Sequence, residues 1–389
     1  MKKNDATAVT LKPQFLKIGI FSAGHLVNDL YMNQIQVLIP FWVLAGLTAA
    51  QGGFLVAAFT ISSSLLQPVF GILSDRKSYR WLIFCGTAWM TILLSLMGLT
   101  HNYLLLFTLA MLAGLGTAAF HPQASKMVAQ CSGSQKSFAQ AVFIAAGNVG
   151  WALTPLCFVP LVNHYGMSIS PYFIIPGLFI SLLLWIISRN RTFVVTESRA
   201  EAPIWSTLKE HGHELTRILL IVALRSLTYS SLIAFLPLYL KEHHVPLVTS
   251  SRMLSFMLFT GSIGGLVGGL LADKYGRRLI LITSLTLTTP LYILFLMTQG
   301  WLSIFFLGIA GAFLLATFSV TVTAAHKVIR NNAGLASGLT LGFGQGIGGL
   351  GVGIMGIVAD TAGFDITIHC LIALPLLASL LCIKLNNID

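Results

Sequence analysis

The sequence predicts an all-α integral membrane protein with twelve transmembrane helices in two pseudo-symmetric six-helix bundles. Three observations lead there. Only 9 % of the 389 residues are Asp, Glu, Lys or Arg, and 56 % are hydrophobic, whereas soluble domains carry about 25 % and roughly 45–50 %. Segments free of those four residue types are long, covering 30–74, 81–125, 137–188, 253–272, 279–326, 331–359 and 366–383. Finally, the basic residues alternate in sidedness along the chain, as they do when Lys and Arg favour the cytoplasmic ends of spans.

A membrane helix needs about 20 mostly apolar residues, so each of the longest charge-free segments fits two helices around an internal break. Gly46-Leu47-Thr48 separates a first span at 16–44 from a second at 49–73. His101-Asn102 separates 80–99 from 103–126, and Asn163-His164-Tyr165-Gly166 separates 137–162 from 171–188. Residues 189–214 form the only long polar connection and hold four of the five Glu residues. They divide an N-terminal six-helix bundle, 1–188, from a C-terminal one, 215–389, as a cytoplasmic linker. The second half repeats the plan with spans at 215–240, 252–272, 278–298, 301–327, 333–358 and 366–384, Gln299-Gly300 marking the third of its breaks.

With twelve spans both termini share one side, and 20 of the 23 Lys and Arg residues fall there. Lys241 and Arg252 lie opposite, and Arg225 lies within a helix. An odd span count would scramble this alternation. The pI near 9.6 is therefore a topology signal and not the footprint of a nucleic-acid-binding patch. The N-terminus carries Lys2 and Lys3, but its first apolar stretch contains His25 and Asp29, so it is expected to be a retained span and not a signal peptide. Cys85, Cys131, Cys157, Cys370 and Cys382 show no CxxC spacing and read as small buried hydrophobes, with no disulfide framework, metal site or cofactor implied.

One loop occurs twice. Gly71-Ile-Leu-Ser-Asp75-Arg76-Lys-Ser-Tyr-Arg80 follows the second span, and Gly269-Leu-Leu-Ala-Asp273-Lys274-Tyr-Gly-Arg277-Arg278 follows the eighth, 198 residues later. This resembles the signature Gly-x-x-x-Asp-(Arg/Lys)-x-Gly-(Arg/Lys)-(Arg/Lys) of the major facilitator superfamily. The second copy is intact, while the first has Ser78 in place of Gly and Tyr79 in place of a base. The resemblance covers the whole chain and implies two bundles rocking about a site near the bilayer midplane. It also implies gating roles for Gly71, Asp75, Arg76, Arg80, Gly269, Asp273, Lys274, Arg277 and Arg278.

Four further stretches narrow it. They are Ser22-Ala-Gly-His25-Leu-Val-Asn28-Asp29, Ser64-Leu-Leu-Gln67-Pro68-Val-Phe-Gly71, Phe120-His121-Pro122-Gln123-Ala-Ser125-Lys126 and Gly147-Asn148-Val-Gly150. Together they are similar to the fosmidomycin-resistance branch, which implies proton-driven export of small drugs from a bacterium across its inner membrane. The Gly-Pro pattern of drug antiporters in the fifth span is eroded here, with Thr154 before Pro155 and Phe158 where Gly is usual.

Ionisable groups inside a span are costly and face protein interior or a wet cavity. Asp29 is the only acid deep in a helix; His25 lies one turn before it on the same face and Asn28 beside it. The proton affinity of such a carboxylate depends on burial and on neighbouring charge, so Asp29 with His25 is the candidate proton-coupling pair. A polar clamp between helices is the plainer alternative. Arg225 is the only base deep in a helix, and Ser226, Thr228, Tyr229, Ser230 and Ser231 make its surroundings polar. A guanidinium there suits a carboxylate, phosphonate or phosphate, although a structural ion pair with Asp29 would also explain it. His121 and His326 stand near the cytoplasmic ends of the repeat-equivalent fourth and tenth spans, as hydrogen-bonded structural groups or as ligands. Asn28, Arg225, Tyr229, His121, Gln123 and His326 form the candidate substrate-binding set.

Gly342 to Gly356 and Gly261 to Gly269 are glycine-rich but lack the Lys-Ser or Lys-Thr ending of a phosphate-binding loop. Close helix packing is the expected reading. No nucleotide-hydrolysing motif is present, so secondary transport is expected: proton-coupled efflux of a small anionic or zwitterionic compound by a monomer. The alternatives are a proton-coupled importer of an organic acid, phosphonate or siderophore, a channel or sensor, and a membrane-embedded enzyme using His25 and Asp29 as base and orienter.

Overall fold

The computed structural model describes residues 13–76, 79–133, 135–189, 204–329, 336, 338–385 and 388. They are helical almost throughout, with no strand among them. The helices are α1 (Phe15–Met32), α2 (Gln34–Leu44), α3 (Ala49–Leu65), α4 (Gln67–Arg76), α5 (Trp81–Leu96), α6 (Tyr103–Cys131), α7 (Lys136–Tyr165), α8 (Ile174–Ser188), α9 (Ile204–Glu242), α10 (Leu247–Tyr275), α11 (Arg277–Met297), α12 (Gly300–Val328) and α13 (Gly344–Ile383).

Ten helical stretches among the described residues are long and apolar enough to cross a membrane. The expected count of twelve differs for two local reasons. The first span is interrupted at Asn33 into helices of 18 and 11 residues. Conversely, the last stretch, Gly346–Ile383, runs 38 residues, about twice what one crossing takes. It takes in the second half of the expected eleventh span and nearly all of the twelfth, divided by Gly363 at φ 85°, a conformation only glycine adopts readily. Two boundaries also move. Pro68 cannot donate to the Ser64 carbonyl, and the second span breaks at Leu66. The polar connection 189–214 is helical from Ile204 onward, its Leu, Lys and Glu residues being good helix formers even without an apolar face. Residues 190–203 lie outside the described residues.

Small residues set the helix spacing, as the glycine-rich stretches predict. A Cβ on Gly86 would stand 2.6 Å from Gly116 O, and one on Gly264 would stand 2.1 Å from Ala312 O. Across the two halves of the sequence, α3 and α13 pack antiparallel, with Ala49 against Gly356, Gly53 against Val352 and Thr60 against Gly349, and Ser64 lies near Gly342 just ahead of α13. At the end holding residues 42–49, Thr48 and Gln51 form a capping box on α3. The Asp360 carboxylate of α13 accepts from the next free donors, Ala49 N at 2.7 Å and Ala50 N at 2.9 Å. A foreign carboxylate thus completes the helix N-terminus, where negative charge is favoured.

The apolar cores divide unequally. At that far end one cluster draws on both halves, joining Tyr31, Leu38 and Trp42 to Phe235, Leu236 and Val352. At the end bearing Phe15 and Ile388 there are two separate clusters. Ile18, Phe21, Phe120, Met127 and Leu184 come from the first half only, and Leu215, Leu281, Val320, Ala378 and Ile388 from the second only. The halves therefore share a core at one end and keep their own at the other.

Candidate functional site

Asp29 lies on α1 midway between those ends and is 7 % exposed. Its Oδ2 is 3.3 Å from His25 Nε2, and its Oδ1 is 3.0 Å from His121 Nε2 on α6. The second nitrogen of each imidazole faces a backbone carbonyl, His25 Nδ1 at 2.7 Å from Phe143 O and His121 Nδ1 at 3.0 Å from Thr117 O. A carbonyl only accepts, so both Nδ1 atoms carry hydrogen. The His25 ring is stacked on Phe143 at 4.0 Å between centroids and meets the His121 ring edge-on at 5.0 Å. Gly147 of α7 closes the back of the cluster, since a Cβ there would lie 2.6 Å from Asp29 Oδ2 and 2.6 Å from His25 Cε1.

Counting hydrogens gives this cluster a definite chemistry. With both Nδ1 atoms protonated, a neutral imidazole would turn its Nε2 lone pair toward a carboxylate oxygen, which is repulsive. Each Nε2–Oδ contact needs a proton of its own, so both contacts are attractive together only when the cluster holds a net charge of +1. Removing one proton leaves one contact without its hydrogen. His121 is the more exposed member, with a side chain 21 % exposed against 9 % for His25.

Arg225 is 3 % exposed on α9. Its guanidinium lies over Phe318 of α12 at 4.8 Å, and Nη2 reaches only the adjacent Ser226 Oγ at 3.4 Å. Nε and Nη1 are buried with no hydrogen-bond partner among the described residues. The ion pair between Arg225 and Asp29 that the sequence suggests is absent: the two histidines, not the guanidinium, hold the carboxylate. Spacing within α1 reveals His25, but which neighbouring helix turns a base toward Asp29 depends on cross-helix register that spacing does not encode. An unpartnered buried guanidinium is strongly unfavourable unless an anion meets it.

Other predicted residues surround these two centres. Asn28 is buried, its Oδ1 accepting from Thr117 Oγ1 at 2.8 Å while its Nδ2 has no partner among the described residues. Tyr229, one turn from Arg225, sets its ring 5.9 Å from Trp151 of α7. That ring contact bridges the two halves. Gln123 is buried on α6. His326 is half-buried in the last turn of α12 and belongs to neither centre's described contacts. Thr117, Gly147, Trp151 and Phe318 are site residues the sequence reading did not single out; Gly147 stands in a motif used only for the family resemblance.

The repeated loops take different forms. In the first, Gly71 closes against Pro122 with 3.9 Å of room for a Cβ, and Arg80 is half-buried ahead of α5; the side chains of Asp75 and Arg76 lie outside the described residues. In the second, Gly269 faces Ser319, and Asp273 and Lys274 are exposed, with the Lys274 ammonium over the Tyr275 ring. Arg277 Nη1 donates to Ile388 O at 3.0 Å, and Arg278 donates to Ile383 O. Arg278 thus meets the end of α13, where cations suit the helix C-terminus, while Arg277 holds the chain beyond it.

A sequence model of the Major Facilitator Superfamily matches residues 21–385. The chain belongs to that superfamily. It is therefore a multi-pass membrane transporter that takes a small-molecule substrate, and not an enzyme. Among its relatives, the transporter is 28 % identical over 385 residues to the fosmidomycin resistance protein of Escherichia coli, covering 96 % of this chain and 94 % of the relative. It is 27 % identical to an uncharacterized MFS-type transporter of Bacillus subtilis, covering 95 % and 92 %. Multidrug resistance protein MdtG of Salmonella schwarzengrund is 25 % identical over 299 residues, covering 72 % of the transporter and 69 % of the relative. Among solved structures, a bacterial homolog of the human lysosomal transporter Spinster, in an inward-facing and occupied conformation, superposes with a TM-score of 0.79 at 15 % identity, covering 95 % and 96 %. The nucleoside transporter NupG gives 0.78 at 13 %, covering 95 % and 99 %. These two likenesses concern the fold.

Proposed function

We propose that the transporter is a proton-coupled antiporter that exports a small anionic or zwitterionic compound by alternating access. The observation that carries this reading is Arg225, a guanidinium 3 % exposed whose Nε and Nη1 have no partner among the described residues. A carboxylate, phosphonate or phosphate on that edge supplies the missing charge and two aligned acceptors. Phe318, Tyr229 and Trp151 offer apolar surface for the rest of the compound. The resistance proteins among the relatives favour efflux over import.

Coupling is assigned to Asp29 and His25, with His121 as their third member. While the cluster keeps both Nε2–Oδ contacts it holds its extra proton. A hydrogen-bond donor or ammonium on the substrate competes for the Asp29 oxygens, so substrate and proton occupy the site alternately. Each proton moving inward through 100 mV supplies about 2.3 kcal/mol, enough to sustain roughly a 50-fold gradient of a zwitterion of no net charge at a stoichiometry of one.

The architecture assigned to this cycle is twelve spans in two six-helix bundles, 1–188 and 215–389, joined by 189–214. The monomer sits in a bacterial inner membrane with both termini in the cytoplasm, as its basic loops favour. In that orientation the shared core lies toward the outer face and the separate cores toward the cytoplasm. The paired loops from Gly71 to Arg80 and from Gly269 to Arg278 are assigned to gating on the cytoplasmic side.

A panel of drugs and metabolites, compared between cells with and without the gene, identifies the substrate. Proteoliposomes then test coupling. Wild type should accumulate the compound against its gradient under an imposed pH difference, whereas Asp29→Asn should exchange it without responding to pH. An undiminished pH response in that variant removes Asp29 from the cycle.

A further inference from the structure

We propose that His25, Asp29 and His121 also form a binding site for a late first-row divalent metal ion, with Zn2+ as the expected occupant. No two of their three ligand atoms are more than 4.8 Å apart. The His25 Nε2–Asp29 Oδ2 and His121 Nε2–Asp29 Oδ1 separations are 3.3 and 3.0 Å. Zinc bonds to imidazole nitrogen and carboxylate oxygen are about 2.0–2.2 Å long, which puts neighbouring ligands of a tetrahedral ion roughly 3.3 Å apart. Each imidazole thus already stands at that spacing from one carboxylate oxygen, His25 from Oδ2 and His121 from Oδ1, and tilting the more exposed His121 ring brings both nitrogens to a single ligating oxygen.

The outer contacts fit as well. Metal-bound histidines nearly always donate their second nitrogen to a carbonyl or carboxylate, which fixes the tautomer and aims the lone pair. Here Phe143 O and Thr117 O do this for both rings. Neutral imidazole together with one carboxylate suits zinc better than Mg2+ or Ca2+, which take oxygen ligands. Three protein ligands leave a fourth position open, on the side where His121 is exposed.

Metal binding here does not depend on proton coupling. Inhibition would: an ion on these lone pairs occupies the atoms that hold the coupling proton, so under the proposed cycle Zn2+ arrests pH-driven transport.

The test is equilibrium dialysis of the full-length detergent-purified protein, its affinity tag removed, against ZnCl2 in excess Mg2+. One Zn2+ per chain is expected, with affinity lowered at least about tenfold in His121→Gln and in Asp29→Asn. His121→Cys should restore binding through a thiolate ligand, an outcome that misfolding cannot imitate. His243→Gln, which alters the exposed pair formed with Asp365 at 3.7 Å, should bind as wild type does. Wild-type affinity in both His121→Gln and Asp29→Asn, or a loss confined to His243→Gln, overturns the site. Zinc binding that leaves pH-driven transport intact keeps the site and removes the coupling role of Asp29.

Discussion

Replacing Asp360 by alanine should loosen the closed end of the transporter without unwinding α3. The carboxylate accepts two backbone hydrogen bonds, at 2.7 and 2.9 Å, from a helix of the other half. Thr48 and Gln51 remain as the capping box of α3, so the loss falls on docking between the halves. A cap removed from a helix N-terminus costs about 1 kcal/mol, and the charge–dipole component adds about 0.3–1 kcal/mol at an exposed site. The sum, about 1–2 kcal/mol, corresponds to roughly a 5–30-fold shift toward states in which the far end is open. Leu236, 1 % exposed in the core shared by both halves, is the reporter. As Leu236→Cys in a chain otherwise free of cysteine, it should be alkylated roughly 5–30 times faster by a maleimide when Asp360→Ala is added. Asp360→Asn, which keeps one acceptor, should fall between. Equal alkylation rates with and without Asp360 would refute the claim that this carboxylate holds the halves together.

Three further outcomes are expected. Gly147→Ala places a methyl group 2.6 Å from both Asp29 Oδ2 and His25 Cε1, an overpacking cost of about 1–3 kcal/mol; it should lower the melting temperature in detergent and blunt the pH response, and a wild-type profile would contradict the packing described. Arg225→Lys keeps the charge but loses the planar fork, so one charged hydrogen bond of about 1.5–3 kcal/mol should disappear and the apparent KM rise at least about tenfold, with protein yield unchanged. Arg277→Ala removes a charge-assisted hydrogen bond to Ile388 O worth about 1.5–3 kcal/mol; it should lower the melting temperature in detergent and change the rate of equilibrium exchange, and a wild-type exchange rate would remove Arg277 from the gating set.

What the sequence reveals of the site follows the range of the interactions concerned. The pairing of His25 with Asp29 is an i, i+4 relation on one helix, visible in spacing alone. Arg225, the only base deep in a helix and set in a polar run from Ser226 to Ser231, is equally visible. The third member, His121, lies 92 residues from Asp29, and nothing in local periodicity says that α6 turns that ring toward α1. For the same reason a mutual pair of Asp29 and Arg225 looks natural from composition, whereas the rotation of α9 gives the guanidinium to Phe318. Gly147 is legible as a small residue, but its purpose becomes clear only once Asp29 and His25 are found against it. Hydropathy marks the crossings well, yet it cannot foresee that polar residues 204–214 continue α9, or that Gly363 lets two expected spans run together as α13.

The central claim is that substrate and proton exclude each other at Asp29 while Arg225 holds the substrate's anion. Proton release on ligand binding tests it most directly. Detergent-purified wild type in weakly buffered solution, saturated with the compound found by the panel, should release about one proton per chain. Asp29→Asn should bind the compound and release none, and Arg225→Gln should neither bind nor release. Saturation of wild type without proton release, or equal release from Asp29→Asn, would contradict the account.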